Sequence, residues 1–278
     1  MKSLFDDISV ACSKNITKTY SSSFSMGIQF LAPSMRNPIY SIYGYVRLAD
    51  EIVDSFEGYK QEEMLHELRV ETRKALDQKI SINPVINCFQ QVVHQFSISE
   101  DLIDSFLDSM EMDLKKKSYT AEMYEQYIYG SAEAVGLMCL KVFCKGNQEQ
   151  YDDLKFSAMK LGSAFQKINF LRDIKADFQG LGRMYFPGID FSTFCASKKR
   201  DIEADIELDF EEGLRGIRRL PKEAQFGVFL AYVYFKGLLN KIKKTPAERI
   251  MEARIRIATP QKLALLVGCA VKNNLNLI

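Results

Sequence analysis

Along most of the chain apolar residues recur at spacings of three and four, the pattern of helices that bury one face. Between Ile98 and Leu114, one side carries Leu102, Ile103, Phe106, Leu107, Met110 and Leu114. The other carries Asp101, Asp104, Asp108 and Glu111, which predicts a solvated acidic face. Residues 196–221, ASKKRDIEADIELDFEEGLRGIRRLP, predict a further amphipathic helix with Ile202, Ile206, Phe210, Leu214 and Ile217 inward and the charges on the surface. Clusters of Gly, Pro, Asn and Ser predict breaks at LAPSMRNP, SINP, CKGN, FQGLG, FPGID and KKTPAE. No strand-like alternation of useful length, no repeat of fixed period and no long linker stands between them. The expected architecture is therefore all-α, a single domain over residues 1–278 built as a bundle of many helices.

Composition narrows this picture. With 278 residues, 47% of them hydrophobic, the chain can bury a large core. The 37 basic and 36 acidic residues leave a net charge of +1, so no overall field recommends nucleic acid or an anionic membrane as partner. Six cysteines without a CxxC pair predict reduced thiols in a cytoplasmic protein, without disulfides or a zinc site. The longest apolar runs, GLMCLKVF and LALLVGCAV, fall short of the roughly 20 residues that span a bilayer. Only two histidines occur, His66 and His94, neither near a Ser or Cys motif, and no G-x-G-x-x-G or P-loop is present. A hydrolytic triad and a Rossmann dinucleotide site are thus unsupported.

Acids inside apolar segments change the picture more. In YGYVRLADEIVDSFEG, residues 43–58, the apolar run is interrupted by Asp50, Glu51 and Asp54. On a helix, Tyr43, Arg47, Asp50 and Asp54 share one face through spacings of four, three and four. Alone, such a row reads as a surface ion-pair ladder. A second segment, LGSAFQKINFLRDIKADFQGLGRMYFP, aligns Gln166, Asn169, Asp173 and Asp177 in the same way, with Ile168, Phe170, Leu171 and Ile174 around them. This row has no cation of its own. Magnesium prefers oxygen ligands, keeps several waters and takes one or two carboxylates plus a substrate phosphate. Asp50 and Asp54 facing Asn169, Asp173 and Asp177 would supply such ligands, and Arg47 and Arg172 would fork onto the phosphate.

Five segments in order then resemble the phytoene and squalene synthase family, the head-to-head prenyl synthases. They are YSSSF (20–24), IYSIYGYVRLADEIVD (39–54), YIYGSAEAVGLM (127–138), LGSAFQKINFLRDIKAD (161–177) and GRMYFP (182–187). By their order the resemblance runs from about Tyr20 to Lys262. It implies an isoprenoid-synthase-type bundle with a central cavity. It also implies Mg²⁺, or Mn²⁺ in its place, on Asp50, Asp54, Asn169 and Asp173, with Asp177 a further ligand. Tyr20, Ser21, Ser22, Ser23, Tyr43, Arg47, Gln166, Arg172 and Tyr234 are then expected to contact a prenyl diphosphate. Tyr43 and Arg47 join the four aspartates in the catalytic set.

The aromatics Tyr127 and Tyr129 are expected nearest the cavity. Ala176 and Glu133 depart from the family's usual Glu and Gly without removing a ligand. The spellings are most similar to bacterial carotenoid enzymes, which implies joining two geranylgeranyl diphosphates into phytoene without NADPH. The alternatives are squalene or dehydrosqualene synthesis from farnesyl diphosphate, and a catalytically silent isoprenoid-binding or assembly protein of the same fold. The C-terminal LALLVGCAVKNNLNLI is expected as core helix, with peripheral membrane contact as a second reading.

Overall fold

A computed structural model of the protein describes residues 2–115, 118–189 and 193–274. Among them the secondary structure is helical, apart from one isolated bridge between Ser118 and Met184. The first helices are α1 (Lys2–Tyr20), α2 (Ser22–Gln29), α3 (Pro33–Asp54), α4 (Gln61–Gln78), α5 (Pro84–Phe96) and α6 (Glu100–Lys115). α7 (Ala121–Ile128) continues through a π-helical turn (Tyr129–Glu133) into α8 (Ala134–Phe143). The remainder are α9 (Gln148–Leu181), α10 (Ala196–Arg219), α11 (Lys222–Lys243), α12 (Ala247–Glu252) and α13 (Thr259–Asn274).

Local chemistry explains most boundaries. Asn83 and Asn147 cap α5 and α9 by accepting from backbone amides of the first turn, and Pro84 sits where its missing N–H costs nothing. Two expected breaks lie elsewhere. LAPSMRNP breaks the chain only to Ala32, because Pro33 starts α3 and Pro38 falls in its second turn, where a single lost hydrogen bond is tolerated. FQGLG stays helical to Leu181, and the stop comes at Gly182, whose φ of 66° is the left-handed cap.

α3 lies at the centre, against α1, α4, α5, α6 and α8, while α9 runs along α8 and α10. Gly130 in the π turn lets α6 approach closely, since a Cβ there would meet the Ser105 carbonyl at 2.2 Å. α9 and α10 pack antiparallel, linked by Lys167 to Asp205 (2.5 Å) and Asp209 (2.7 Å), Ser163 to Asp209 (2.7 Å), Ser157 to Glu212 (2.6 Å) and Arg219 to Asp153. The charges of α10 are therefore not all on the surface as expected. Lys199, Glu203 and Asp209 are buried, each against an opposite charge that offsets its desolvation. The acidic face of α6 is likewise not open to solvent alone: Arg69 and Arg73 of α4 bridge to Asp104, Asp108 and Glu100. In α13 Cys269 is buried and Leu265 and Leu266 are half-buried, whereas Ala264, Val267 and Gly268 are exposed. Residues 275–278 of the expected C-terminal segment lie outside the described residues. Cys12, Cys88, Cys139, Cys144 and Cys195 are free thiols, and among the described residues no helix is long and apolar enough to cross a membrane.

Candidate active site

The two polar rows meet across one hollow. A cavity of about 770 Å³ is lined on the α3 side by Tyr43, Arg47, Asp50 and Asp54, and on the α9 side by Gln166, Asn169, Asp173 and Asp177. Tyr20, Ser21, Ser23, Tyr127, Arg172 and Tyr234 line the same cavity. Apart from Tyr129, every candidate residue with a described side chain is thus brought to one place. The side chain of Ser22 lies outside the described residues. Tyr129 does not line the cavity: two positions after Tyr127, it points to the opposite side of the helix.

Each row has an internal logic. Arg47 bonds to Glu51, one turn on, and stays 3.8 Å from Asp50, while its guanidinium stacks 4.4 Å over the Tyr20 ring. Its Nε is buried without an acceptor. Asn169 donates its amide to Gln166 at 3.2 Å, which turns its Oδ1 into a buried acceptor without a donor. Such orphans are costly unless a ligand completes them. Asp50 faces the hollow and keeps 31% of its side chain open to it. Burial and the neighbouring Asp54 charge push its carboxyl up to about 7. Burial, then Asp173 and Asp54, push Asp177 up to about 8. Asp54 therefore couples the two walls electrostatically.

The structure adds a buried network that the sequence reading missed. Asp113 of α6, 7% exposed, accepts hydrogen bonds from Tyr119 (3.0 Å), Tyr127 (2.7 Å) and Tyr185 (3.0 Å). Arg183 lies beside it and reaches Asp54 at 2.7 Å and the Val53 carbonyl at 3.0 Å. Burial raises Asp113 to about 6, against the opposing pull of Arg183. Burial alone would lower Arg183, yet the Asp113 charge and the Asp54 bond hold it above its ordinary range. One signal was available, because Asp113 stands three residues after Met110 on the apolar side of its helix. Arg183 and Tyr185 belong to GRMYFP, a motif that carried no expected role for either. At the opposite rim Arg254 pairs with Asp173 at 2.7 Å, and Arg256 and Lys262 line the cavity. Nothing in ARIRI (253–257) marked Arg254 or Arg256.

Among the described residues no three of the His, Cys, Asp and Glu side chains converge as an all-protein metal cage. The acids stand as pairs on facing helices. Below them the walls turn apolar, with Phe165 stacked on Phe235 at 4.1 Å and Phe24 edge-on to that ring at 5.8 Å.

The sequence profile described as squalene/phytoene synthase matches residues 17–207. The chain belongs to that family. It is an enzyme of the prenyltransferase type, and the family's head-to-head synthases use a divalent metal with prenyl diphosphate substrates. The chain is 28% identical over 280 aligned positions to a 15-cis-phytoene synthase of Synechocystis sp., covering 91% of this chain and 82% of that one. It is 24% identical over 252 positions to a 4,4'-diapophytoene synthase of Staphylococcus haemolyticus, covering 82% and 85%. A crystal structure of a dehydrosqualene synthase in complex with ligand has the same fold, with a TM-score of 0.82, 21% identity and coverage of 97% and 98%.

Proposed function

We propose that the described helices form one catalytic unit that joins two geranylgeranyl diphosphates head to head into phytoene. The route runs through a cyclopropylcarbinyl diphosphate, releases diphosphate and uses Mg²⁺, with Mn²⁺ as a substitute. The observation that carries the chain length is the depth of the cavity. From Asp173, taken as the diphosphate end, the lining on α9 runs down to Leu154, 19 residues or about 28 Å at the helical rise. A chain of four isoprene units takes up more of this depth than one of three, which favours the longer substrate.

The donor set fits magnesium. Oxygen ligands arranged as pairs, rather than as a cage, suit an ion that completes its shell with water and phosphate. Asp50 and Asp54 would hold it from one wall, and Asn169, Asp173 and Asp177 from the other. Held there, the metal would supply positive charge to offset the charge of the departing diphosphate. Arg47 offers its orphaned Nε to a phosphate oxygen, and Arg172, Arg254, Arg256 and Lys262 add charge at the rim. Ser21, Ser23, Tyr43 and Gln166 orient the head group by hydrogen bonds. Phe24, Phe165 and Phe235 exclude water and present π faces to a cationic chain. Arg183, anchored by Asp113, holds Asp54 in place.

A second reading, two farnesyl diphosphates giving a C30 hydrocarbon, is favoured by the similarity to the 4,4'-diapophytoene synthase. Purified protein with Mg²⁺ is given each diphosphate, with and without NADPH, and the hydrocarbon identified. The expected product is C40 phytoene without NADPH; a C30 product alone overturns the assignment.

A further inference from the structure

Glu51 interrupts the apolar run of α3 beside Asp50, yet unlike Arg47, Asp50 and Asp54 it does not line the cavity. Its side chain is only 15% exposed, and burying a carboxylate is costly unless it is paired. Three donors pair it: Arg47 through Nη2, and the hydroxyls of Ser55 and Tyr20. Tyr20 closes the last turn of α1, and the Arg47 guanidinium lies 4.4 Å over its ring. Glu51 thus ties the end of α1 to α3 and gathers Arg47 into the same contact.

Arg47 has two acceptors to choose from. Residues three and four positions on both neighbour it along the helix, so Asp50 and Glu51 compete for one guanidinium. Glu51 takes the hydrogen bond, and Asp50 stays 3.8 Å from Nη1, beyond hydrogen-bond range. The consequence is double. Asp50 keeps the lone pairs of its carboxylate for another partner. Arg47 Nε, buried and without an acceptor, keeps its proton for one as well. Without Glu51 the guanidinium has Asp50 as the one carboxylate left within a turn of it on α3, and a half-buried charge seeks such a partner. The pair formed would take up both groups at once.

We infer that Glu51 is a positioning residue that draws Arg47 off Asp50, leaving the aspartate open to a divalent ion and the guanidinium to a phosphate. This rests on the reading of Asp50 as a metal ligand and of Arg47 as a phosphate contact. Glu51→Ala removes the acceptor, Glu51→Leu removes it but keeps the bulk, and Glu51→Gln keeps an acceptor oxygen without the charge. Binding of inorganic pyrophosphate in saturating Mg²⁺ is followed by isothermal titration calorimetry. Glu51→Ala is expected to weaken it at least about tenfold, and Glu51→Gln less than about threefold. In an Arg47→Ala background the Glu51→Ala change is expected to stay within about twofold, because no guanidinium is left to misplace. An equal loss in both backgrounds overturns the proposal, since Glu51 would then act through its own charge or through the fold.

Circular dichroism melting identifies which variants fold, and Glu51→Leu takes the place of Glu51→Ala should the smaller residue unfold the helix. A crystal structure of the folded variant judges the placement directly. Arg47 is expected about 3 Å from an Asp50 oxygen, and a guanidinium still clear of Asp50 overturns the proposal. If Arg47→Ala alone left pyrophosphate binding unchanged, the phosphate reading of Arg47 would fall instead, while the crystal structure still decides what Glu51 does.

Discussion

The α3 and α9 walls treat their acids alike, yet with different hardware. Each wall holds one aspartate in a close arginine grip and leaves the other without a hydrogen bond, Asp50 having only the Arg47 guanidinium at 3.8 Å. On α3 the gripped acid is Asp54, by Arg183; on α9 it is Asp173, by Arg172 at 2.5 Å and Arg254 at 2.7 Å. Among the described residues no hydrogen bond reaches the carboxylates of Asp50 or Asp177, and these are the two acids pushed furthest up. The grips differ in burial. Arg183 is 6% exposed and tied into the Asp113 network, whereas Arg254 is 48% exposed and follows α12 at the rim. The inner grip is architecture, and the outer one is free to exchange partners.

The comparison is sharpest in turnover. Asp50→Asn and Asp173→Asn, one from each wall, are each expected to lower kcat/KM about 1000-fold or more, because metal-assisted charge stabilisation supplies several kcal/mol. If one wall proved expendable in a steady-state assay, the two-wall site would be wrong. Next come the grips. Arg183→Ala leaves Asp113 buried beside an empty place and is expected to cost about 3 kcal/mol in urea unfolding, against under about 1 kcal/mol for Arg254→Ala. Equal costs would erase the distinction between inner and outer arginine.

A smaller effect tests the π turn. Tyr127→Phe removes a donor from buried Asp113 and is expected to cost about 1–2 kcal/mol, while Tyr129→Phe leaves turnover within about twofold. The reverse ranking would mean that the π turn presents the other ring. Smallest is the pH dependence of the metal-free protein. Asp50 and Asp177 hold protons in the folded state up to about 7 and about 8, whereas the unfolded chain releases them near 3.8. Stability from this source is present at low pH and is lost as pH rises through those values. Tm is therefore expected to fall between pH of about 5 and 8.5, to be restored at the upper end by Mg²⁺ and to flatten in Asp50→Asn. A flat profile in the unmodified protein would argue that neither acid is raised.

Both polar rows were legible because residues three and four apart share a helix face wherever the helix goes. The same rule placed Ile206, Phe210 and Ile217 of α10 inward, where they are buried. It failed for the charges beside them. Whether Lys199, Glu203 or Asp209 meets water depends on what packs against α10, which its own periodicity does not encode. The two tyrosines of YIYG, two positions apart, point to opposite sides of their helix, so spacing says that only one can face the cavity, and which one is decided by the packing of that helix against α6.

The sequence alone determined the helices, the sharing of one face by each set of acids and, through five ordered motifs, the family. These follow from local geometry and from residue identity. Tertiary structure alone decided that the rows confront each other across 770 Å³, that Asp113 gathers three tyrosines and that Arg183 spans from GRMYFP to Asp54, 129 positions away. Those contacts join residues whose separation along the chain carries no periodic signal, so only the packing of whole helices brings them together.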